Sequence, residues 1–180
     1  MQGIIFNALA EFVEKTADME TWNDILDESH VPSGGVYTSG GTYDDEEITT
    51  LAVMICNKLN IELEQGLTAF GKFLFSYLVE RGPVEIKDYP DTQTMLKELD
   101  SVVHSEVRRI HPDAYTPFFE YIETDAKTGE LMYRSNRRLC VVAEGLLQGA
   151  AEYYGQNLAM QHNECVHRGA EDCRWQLQFS

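Results

Sequence analysis

The sequence has few basic residues for its length. Its 180 residues include 14 lysines and arginines against 30 aspartates and glutamates, which gives a formal net charge of −16. Nucleic acids and anionic membrane surfaces are bound largely through cationic side chains, so this balance argues against either as a partner. A basic patch on another protein is the kind of surface that such a charge favours.

Long apolar runs and targeting signals are also missing. No stretch approaches the roughly 20 apolar residues needed to span a bilayer. The segment Met1 to Asn7 lacks the basic region and cleavage site of a signal peptide. We therefore expect a cytoplasmic protein that neither crosses nor binds a membrane.

Motifs typical of catalysis are absent as well. The glycine pairs do not form a phosphate-binding motif, and no Ser/His/Asp order indicates a nucleophilic triad. The carboxylates are numerous but scattered, so no acid/base pair can be located. We expect the protein not to be an enzyme.

Hydrophobic periodicity predicts helices first and strands later. The expected helices cover 3–17, 20–28, 44–59, 62–80, 92–110 and 139–154. The expected strands cover 116–124, 130–135, 157–166 and 172–179. This order is typical of an α+β fold, and a chain that is 43% apolar is able to form one globular domain with a real core.

Three of the four cysteines fall near the C-terminus. Cys140 begins the last predicted helix, while Cys165 and Cys173 lie where two strands should meet, with His162 close by in sequence. Three thiolates and one imidazole can hold a structural zinc ion with closed tetrahedral coordination. Three alternatives stay open: His167 as the nitrogen ligand, a thiol redox switch, or unconnected buried thiols. Disulfides are not the expected state in a reducing cytoplasm.

A second group of candidate residues lies in the middle of the chain. His104 is on the helix predicted for 92–110 but beside its apolar stripe, so from this helix alone a half-exposed histidine accounts for it better than a haem ligand does. Tyr133, Ser135 and Arg137 would share one strand face, because strand side chains alternate. Two hydroxyls and a guanidinium can clamp two carboxylates, although a polar face neutralising acidic neighbours is the alternative.

The combination of these residues resembles a known family. The chain resembles the stand-alone bacterial type of haem nitric oxide/oxygen binding (H-NOX) protein. The resemblance rests on His104 in the middle of the chain, on Tyr133-x-Ser135-x-Arg137 after it, and on an N-terminus that begins Met-x-Gly-x-Ile. The same family includes the haem domain of soluble guanylate cyclase. The resemblance implies one domain over 1–180, with a helical distal lobe, a proximal lobe of helices and a four-stranded antiparallel sheet, and haem b buried between the lobes. The distal lobe would cover 1–61 and the proximal lobe 62–180.

This resemblance also implies a role for each candidate haem contact. His104 would bind the haem iron, and Tyr133, Ser135 and Arg137 would hydrogen-bond the haem propionates. Pro117 would pack against the haem and help to distort it. The remaining expected contacts are apolar: Ile5, Leu9, Leu74, Leu78, Val142 and Leu146.

The same resemblance implies which gas the protein binds and how it passes on the signal. Dioxygen-binding members have a distal tyrosine supported by a tryptophan and an asparagine, whereas the matching positions here are Val142, Leu9 and Leu74, which donate no hydrogen bond. The resemblance therefore implies a nitric oxide sensor that also binds carbon monoxide but forms no stable dioxygen complex. Nitric oxide would break the bond between iron and His104. The resulting change of shape would be passed in trans, by a monomer, to a sensor histidine kinase or a cyclic-di-GMP enzyme.

Some family members also have a zinc site near the C-terminus. Cys140, His162, Cys165 and Cys173 fall on its positions, so the resemblance favours a structural zinc ion here. The alternative function is a zinc–thiol redox sensor or interaction domain that uses the same cysteines.

Overall fold

The computed structural model describes all 180 residues and has an α+β fold, as the sequence predicted. The helices are α1 (Gly3–Thr16), α2 (Met19–Ser29), α3 (Asp45–Leu59), α4 (Leu63–Arg81), α5 (Thr92–Glu98), α6 (Ser105–Ile110) and α7 (Cys140–Tyr153). The strands are β1 (Phe118–Asp125), β2 (Thr128–Arg134), β3 (Leu158–Glu164) and β4 (Cys173–Phe179). None of the helices combines the length and the apolarity that crossing a membrane requires.

Aspartate side chains cap three of the helices at their N-termini. Asp18, Asp44 and Asp91 each accept a hydrogen bond from a backbone amide two or three residues later, at 2.7, 2.9 and 2.7 Å. Each cap satisfies an amide that has no partner within the helix, which is worth about 0.5–2 kcal/mol. At the other end, α2 and α3 stop at His30 and Asn60, which adopt the left-handed conformation typical of helix ends.

The helix predicted for 92–110 is not α-helical throughout. Leu99–His104 form a π-helical segment between α5 and α6. In an α-helix, residue 104 would lie about 140° around the axis from residue 99, since each turn takes 3.6 residues. A π-helix bonds residues five apart, which brings Leu99 and His104 to the same side. The α-helical spacing assumed for the sequence therefore misplaced His104 relative to the apolar stripe.

The four strands form one antiparallel sheet in the order β1-β2-β4-β3. In the centre of the sheet, Leu131 of β2 pairs with Trp175 of β4, and Tyr133 pairs with Cys173. Alternate residues of β4 are fully buried while their neighbours are not, as expected for a sheet with one face against the core.

The buried apolar residues form two clusters. The first consists mainly of α1, α2 and α3, and the second lies beneath the sheet. Both α4 and α7 contribute to each cluster: Leu74 and Val142 belong to the first, while Phe75 and Ala143 belong to the second. These two helices therefore join the halves of the molecule.

Glycines allow α4 and α7 to approach closely. A Cβ atom on Gly71 would lie 2.3 Å from the carbonyl oxygen of Val142, and one on Gly145 would lie 2.2 Å from the carbonyl oxygen of Thr68. Neither backbone oxygen is free to move aside, because both belong to helices. Only glycine is compatible with this helix crossing.

The substitution Gly145→Ala tests this crossing. Alanine favours an exposed helix over glycine by about 1 kcal/mol, but here its methyl group would push the helices apart. We expect the free energy of unfolding, measured by urea denaturation, to fall by about 1–3 kcal/mol, the usual cost of overpacking. Gln148→Ala in the same helix is the control and should change it by less than about 0.5 kcal/mol. An unchanged or raised stability for Gly145→Ala would contradict the proposed contact.

Candidate functional site

A cavity of about 820 Å³, partly open to solvent, is bordered by residues of both hydrophobic clusters. Its walls are mostly apolar, since 33 of the 45 lining residues are hydrophobic. The volume falls within the roughly 300–1,000 Å³ that small-molecule and cofactor sites occupy. All eleven residues expected to contact haem line this one cavity: Ile5, Leu9, Leu74, Leu78, His104, Pro117, Tyr133, Ser135, Arg137, Val142 and Leu146.

His104 contributes an imidazole to the cavity wall. Its side chain is 15% exposed, and its Nδ1 atom is buried without a hydrogen-bond partner, 3.6 Å from Oδ1 of Asp100. Burial lowers the pKa of His104, although the carboxylate of Asp100 acts in the opposite direction. A neutral imidazole has a nitrogen lone pair available for a metal. His104 is therefore suited to bind a metal from inside an apolar cavity.

Tyr133, Ser135 and Arg137 reach the cavity by a different route from the one predicted. Strand β2 ends at Arg134, so Ser135 and Arg137 lie in the turn that follows rather than on a shared strand face. The hydroxyl of Ser135 accepts a hydrogen bond from the amide of Arg137 at 3.2 Å, and that of Tyr133 accepts one from the amide of Leu139 at 3.2 Å. Burial raises the pKa of Tyr133 to about 12, so its hydroxyl keeps a proton to donate.

Arg137 links three separate segments at the edge of the cavity. Its Nε atom donates to Oδ2 of Asp45 at 2.7 Å, and a terminal nitrogen donates to the carbonyl oxygen of Tyr115 at 2.9 Å. The guanidinium also lies 4.7 Å from the centre of the Tyr115 ring. Burial alone would raise the pKa of Asp45, but hydrogen bonds from Arg137 and the amino group of Met1 outweigh it and lower the pKa. Arg137 thus places a cation where carboxylates can reach it.

A cluster of three thiols lies apart from the cavity. The Sγ atoms of Cys140, Cys165 and Cys173 are within 4.8 Å of one another, and the first two are 3.9 Å apart. All three residues are buried and none forms a disulfide. Burial, reinforced by the neighbouring thiols, raises the pKa of Cys140 to about 12. A bound cation would offset the cost of a thiolate at this position.

The predicted nitrogen ligands occupy two different environments near the thiols. His162 lies outside the group of ligand atoms within 4.8 Å. Its Nδ1 atom is 2.7 Å from Oε1 of Glu144, its ring lies 4.5 Å from that of Trp175, and its Nε2 atom is buried without a partner. The Nε2 atom of His167 is 2.8 Å from the carbonyl oxygen of Arg138. Of the two histidines, His162 has the uncommitted buried nitrogen.

Three contributors to these sites were not singled out in the sequence: Asp45, Tyr115 and Glu144. Asp45 and Arg137 are 92 residues apart, so no local pattern connects them. By its sequence, Asp45 is only part of an acidic first helical turn. A weak signal existed for Glu144, which follows Cys140 by one helical turn and therefore lies on the same face of α7.

Known proteins resemble the chain over its whole length. The Haem-NO-binding family matches residues 2–162. An H-NOX protein from S. oneidensis, solved in the Fe(II)NO ligation state, is 32% identical with a TM-score of 0.93, and the match covers 100% of this chain and 99% of that one. The unliganded Fe(II) H-NOX protein from K. algicida is 27% identical with a TM-score of 0.88, covering 100% and 97%. The IWP-051-bound H-NOX from Shewanella woodyi, in the Fe(II)CO ligation state, is 30% identical with a TM-score of 0.85, covering 99% and 94%.

Replacement of Arg137 tests its role in holding the edge of the cavity together. Arg137→Ala leaves the carbonyl of Tyr115 without its side-chain donor and leaves Asp45 with the amino group of Met1 alone, so we expect the free energy of unfolding to fall by about 1.5–3 kcal/mol. Arg109→Ala is the control, because Arg109 pairs with Glu106 on the surface and should contribute less than about 1 kcal/mol. Equal effects of the two substitutions in urea denaturation would show that the Arg137 contacts do not stabilise the fold.

Proposed function

The chain belongs to the Haem-NO-binding (H-NOX) family, and on that premise we propose that it is a haem-based sensor of nitric oxide rather than an enzyme. The observation that carries the proposal is that an imidazole, a guanidinium with two hydroxyls, and apolar walls all open into the same cavity. These are the three environments that an iron, two propionates and a macrocycle require.

The residues of the cavity fit haem b. His104 would bind the iron, because its ring lines the cavity with a lone pair available. Tyr133, Ser135 and Arg137 would hold the propionates through hydroxyl and guanidinium donors. Ile5 and Pro117 also line the cavity, and we assign them the contacts that distort the macrocycle. In this arrangement, 1–61 form the distal lobe and 62–180 the proximal lobe, with haem between them.

The apolar distal wall supports selectivity for nitric oxide and carbon monoxide. Leu9, Leu74 and Val142 are 3%, 3% and 9% exposed, and none has a hydrogen-bond donor in its side chain. Bound haem would supply a ferrous iron able to take up either gas, and His104 would be the ligand given up when the gas is nitric oxide. Dioxygen needs a donor to stabilise the negative charge that it acquires, so no stable dioxygen complex is proposed.

The signal would arise in the helix that carries His104. Residues of α6, immediately after His104, are not buried, and Arg108 connects this helix to Thr116 by a hydrogen bond of 2.6 Å. Release of the His104 ring would free the π-helical segment Leu99–His104 from one attachment, and such segments often occur at functional positions. A partner that binds the two shapes with different affinity would detect the change. We propose a sensor histidine kinase or a cyclic-di-GMP enzyme as the partner of a monomeric sensor.

A structural zinc ion is the second part of the proposal. Cys140, Cys165 and Cys173 offer three clustered thiols, and His162, which lies outside that cluster, has an unpartnered buried nitrogen. Together they would make the Cys₃His set of a tetrahedral zinc site without an open position. A redox sensor based on the same thiols is the competing function, since clustered thiols are also oxidisable.

The absorption spectrum of the reduced protein tests the gas-sensing proposal. We expect an intense Soret band. Addition of nitric oxide should shift the band to the position typical of haem without a histidine ligand. Exposure of the reduced protein to air should give no stable spectrum of a dioxygen complex. His104→Ala should lack the histidine-bound spectrum and regain it with added imidazole, whereas the control His111→Ala should retain it. A protein without a Soret band after haem is supplied, or a His104→Ala spectrum equal to the wild type, would refute the proposal.

Metal analysis tests the zinc site independently of haem. We expect about one zinc ion per chain, as a single tetrahedral site requires. Cys165→Ala should lose the ion, while Cys56→Ala should keep it, because Cys56 lies in another part of the core. Absence of zinc from the wild type, with thiols that peroxide oxidises reversibly, would support the redox function instead.

A further inference from the structure

Two adjacent layers of side chains connect α7 with strands β3 and β4. One layer contains the thiols of Cys140 and Cys173, and the next contains Glu144 and Trp175. Along α7, Cys140 and Glu144 are one turn apart, so they lie on one face. Along β4, Cys173 and Trp175 are two residues apart and share the buried face. The thiol cluster therefore lies next to the glutamate and the tryptophan.

His162 enters the second layer from β3. It pairs with Trp175 across the sheet, and the two rings lie 4.5 Å apart at an angle of 31°. This stacking limits rotation of the imidazole. Cys165 follows three residues later, just after the end of β3, so this strand and the connection to β4 supply an imidazole and a thiol.

Glu144 makes two contacts through a single oxygen. Its Oε1 atom accepts a hydrogen bond from Nε1 of Trp175 at 2.8 Å and lies 2.7 Å from Nδ1 of His162. The carboxylate has no proton to donate, so a hydrogen bond across the contact with His162 requires the proton on Nδ1. In a neutral ring, the lone pair is then on Nε2, which is buried and has no partner in the protein.

We infer that Glu144 is a positioning residue that prepares His162 to bind the metal through Nε2. The inference rests on the zinc site proposed above. A carboxylate that accepts from the non-ligating nitrogen fixes the tautomer and the ring orientation and raises the basicity of the ligating nitrogen. Loss of such a group typically weakens metal binding by roughly 10- to 100-fold.

Zinc affinity measured by competition with a chromophoric chelator tests this role. We expect Glu144→Ala to weaken zinc binding by roughly 10- to 100-fold. Glu144→Gln, which retains an acceptor oxygen but no charge, should give a smaller loss. Glu152→Ala is the matched control, because Glu152 is on the same helix and pairs with Lys72 at the surface; it should bind zinc as the wild type does.

A tautomer measurement gives a second readout that does not need metal. In the metal-free wild type, ¹⁵N chemical shifts should show the proton of His162 on Nδ1, and Glu144→Ala should shift the population toward protonated Nε2. Trp175→Phe removes the other donor to Glu144 but keeps an aromatic ring beside His162, so the Nδ1 tautomer should persist and any loss of zinc affinity should be smaller than that of Glu144→Ala. If Trp175→Phe weakened zinc binding as much as Glu144→Ala does, Glu144 would act only by anchoring the tryptophan, and the inference would fail.

The outcomes separate this inference from the proposal on which it rests. A wild type that binds no zinc would refute both. The wild type could instead bind one zinc ion per chain and lose it in Cys165→Ala, while both Glu144 variants bind zinc as tightly as the wild type does. That result would refute only the role of Glu144. A wild-type His162 with its proton on Nε2 would also refute that role, whatever the zinc content.

Discussion

The crossing of α4 and α7 is the contact on which both halves of the molecule depend. Each helix contributes to both hydrophobic clusters, and the glycines at 71 and 145 let the two backbones approach more closely than any side chain would permit. Leu74 of α4 and Val142 of α7 extend from this contact into the cavity wall. The shape of the cavity is therefore set by a backbone contact that a single added methyl group would disturb.

The polar groups of the cavity are held at its edge by long-range contacts. Arg137 is joined to Asp45 at the start of α3 and to the loop containing Tyr115, so the turn after β2 is fixed to two other parts of the chain. His104 has the opposite character, because its helix includes a π segment and continues into the unburied α6. A guanidinium fixed by long-range contacts and a histidine followed by an unburied helix are the combination that the proposed sensor requires, since one end of the site has to stay in place while the other moves.

Much of this architecture could be predicted from local patterns. The helix and strand boundaries followed the hydrophobic periodicity and the capping aspartates to within a few residues, because these signals act over one or two turns. The cavity residues came from the family resemblance, and all eleven line one cavity. By contrast, the face on which His104 lies could not be predicted from α-helical spacing, since a π segment changes that spacing. The single strand face expected for Tyr133, Ser135 and Arg137 proved to be a strand end and a turn.

The sequence by itself determined the α+β order of elements, the net charge of −16 and the presence of an imidazole, a guanidinium and three C-terminal thiols. Tertiary structure alone decided which of these groups meet. Asp45 reaches Arg137 across 92 residues, and Glu144 contacts His162 and Trp175 only because α7 packs against the sheet. The physical reason is the distance along the sequence over which each interaction acts. Periodicity and capping arise from neighbours within a few residues, whereas a site depends on side chains that folding brings together from distant segments.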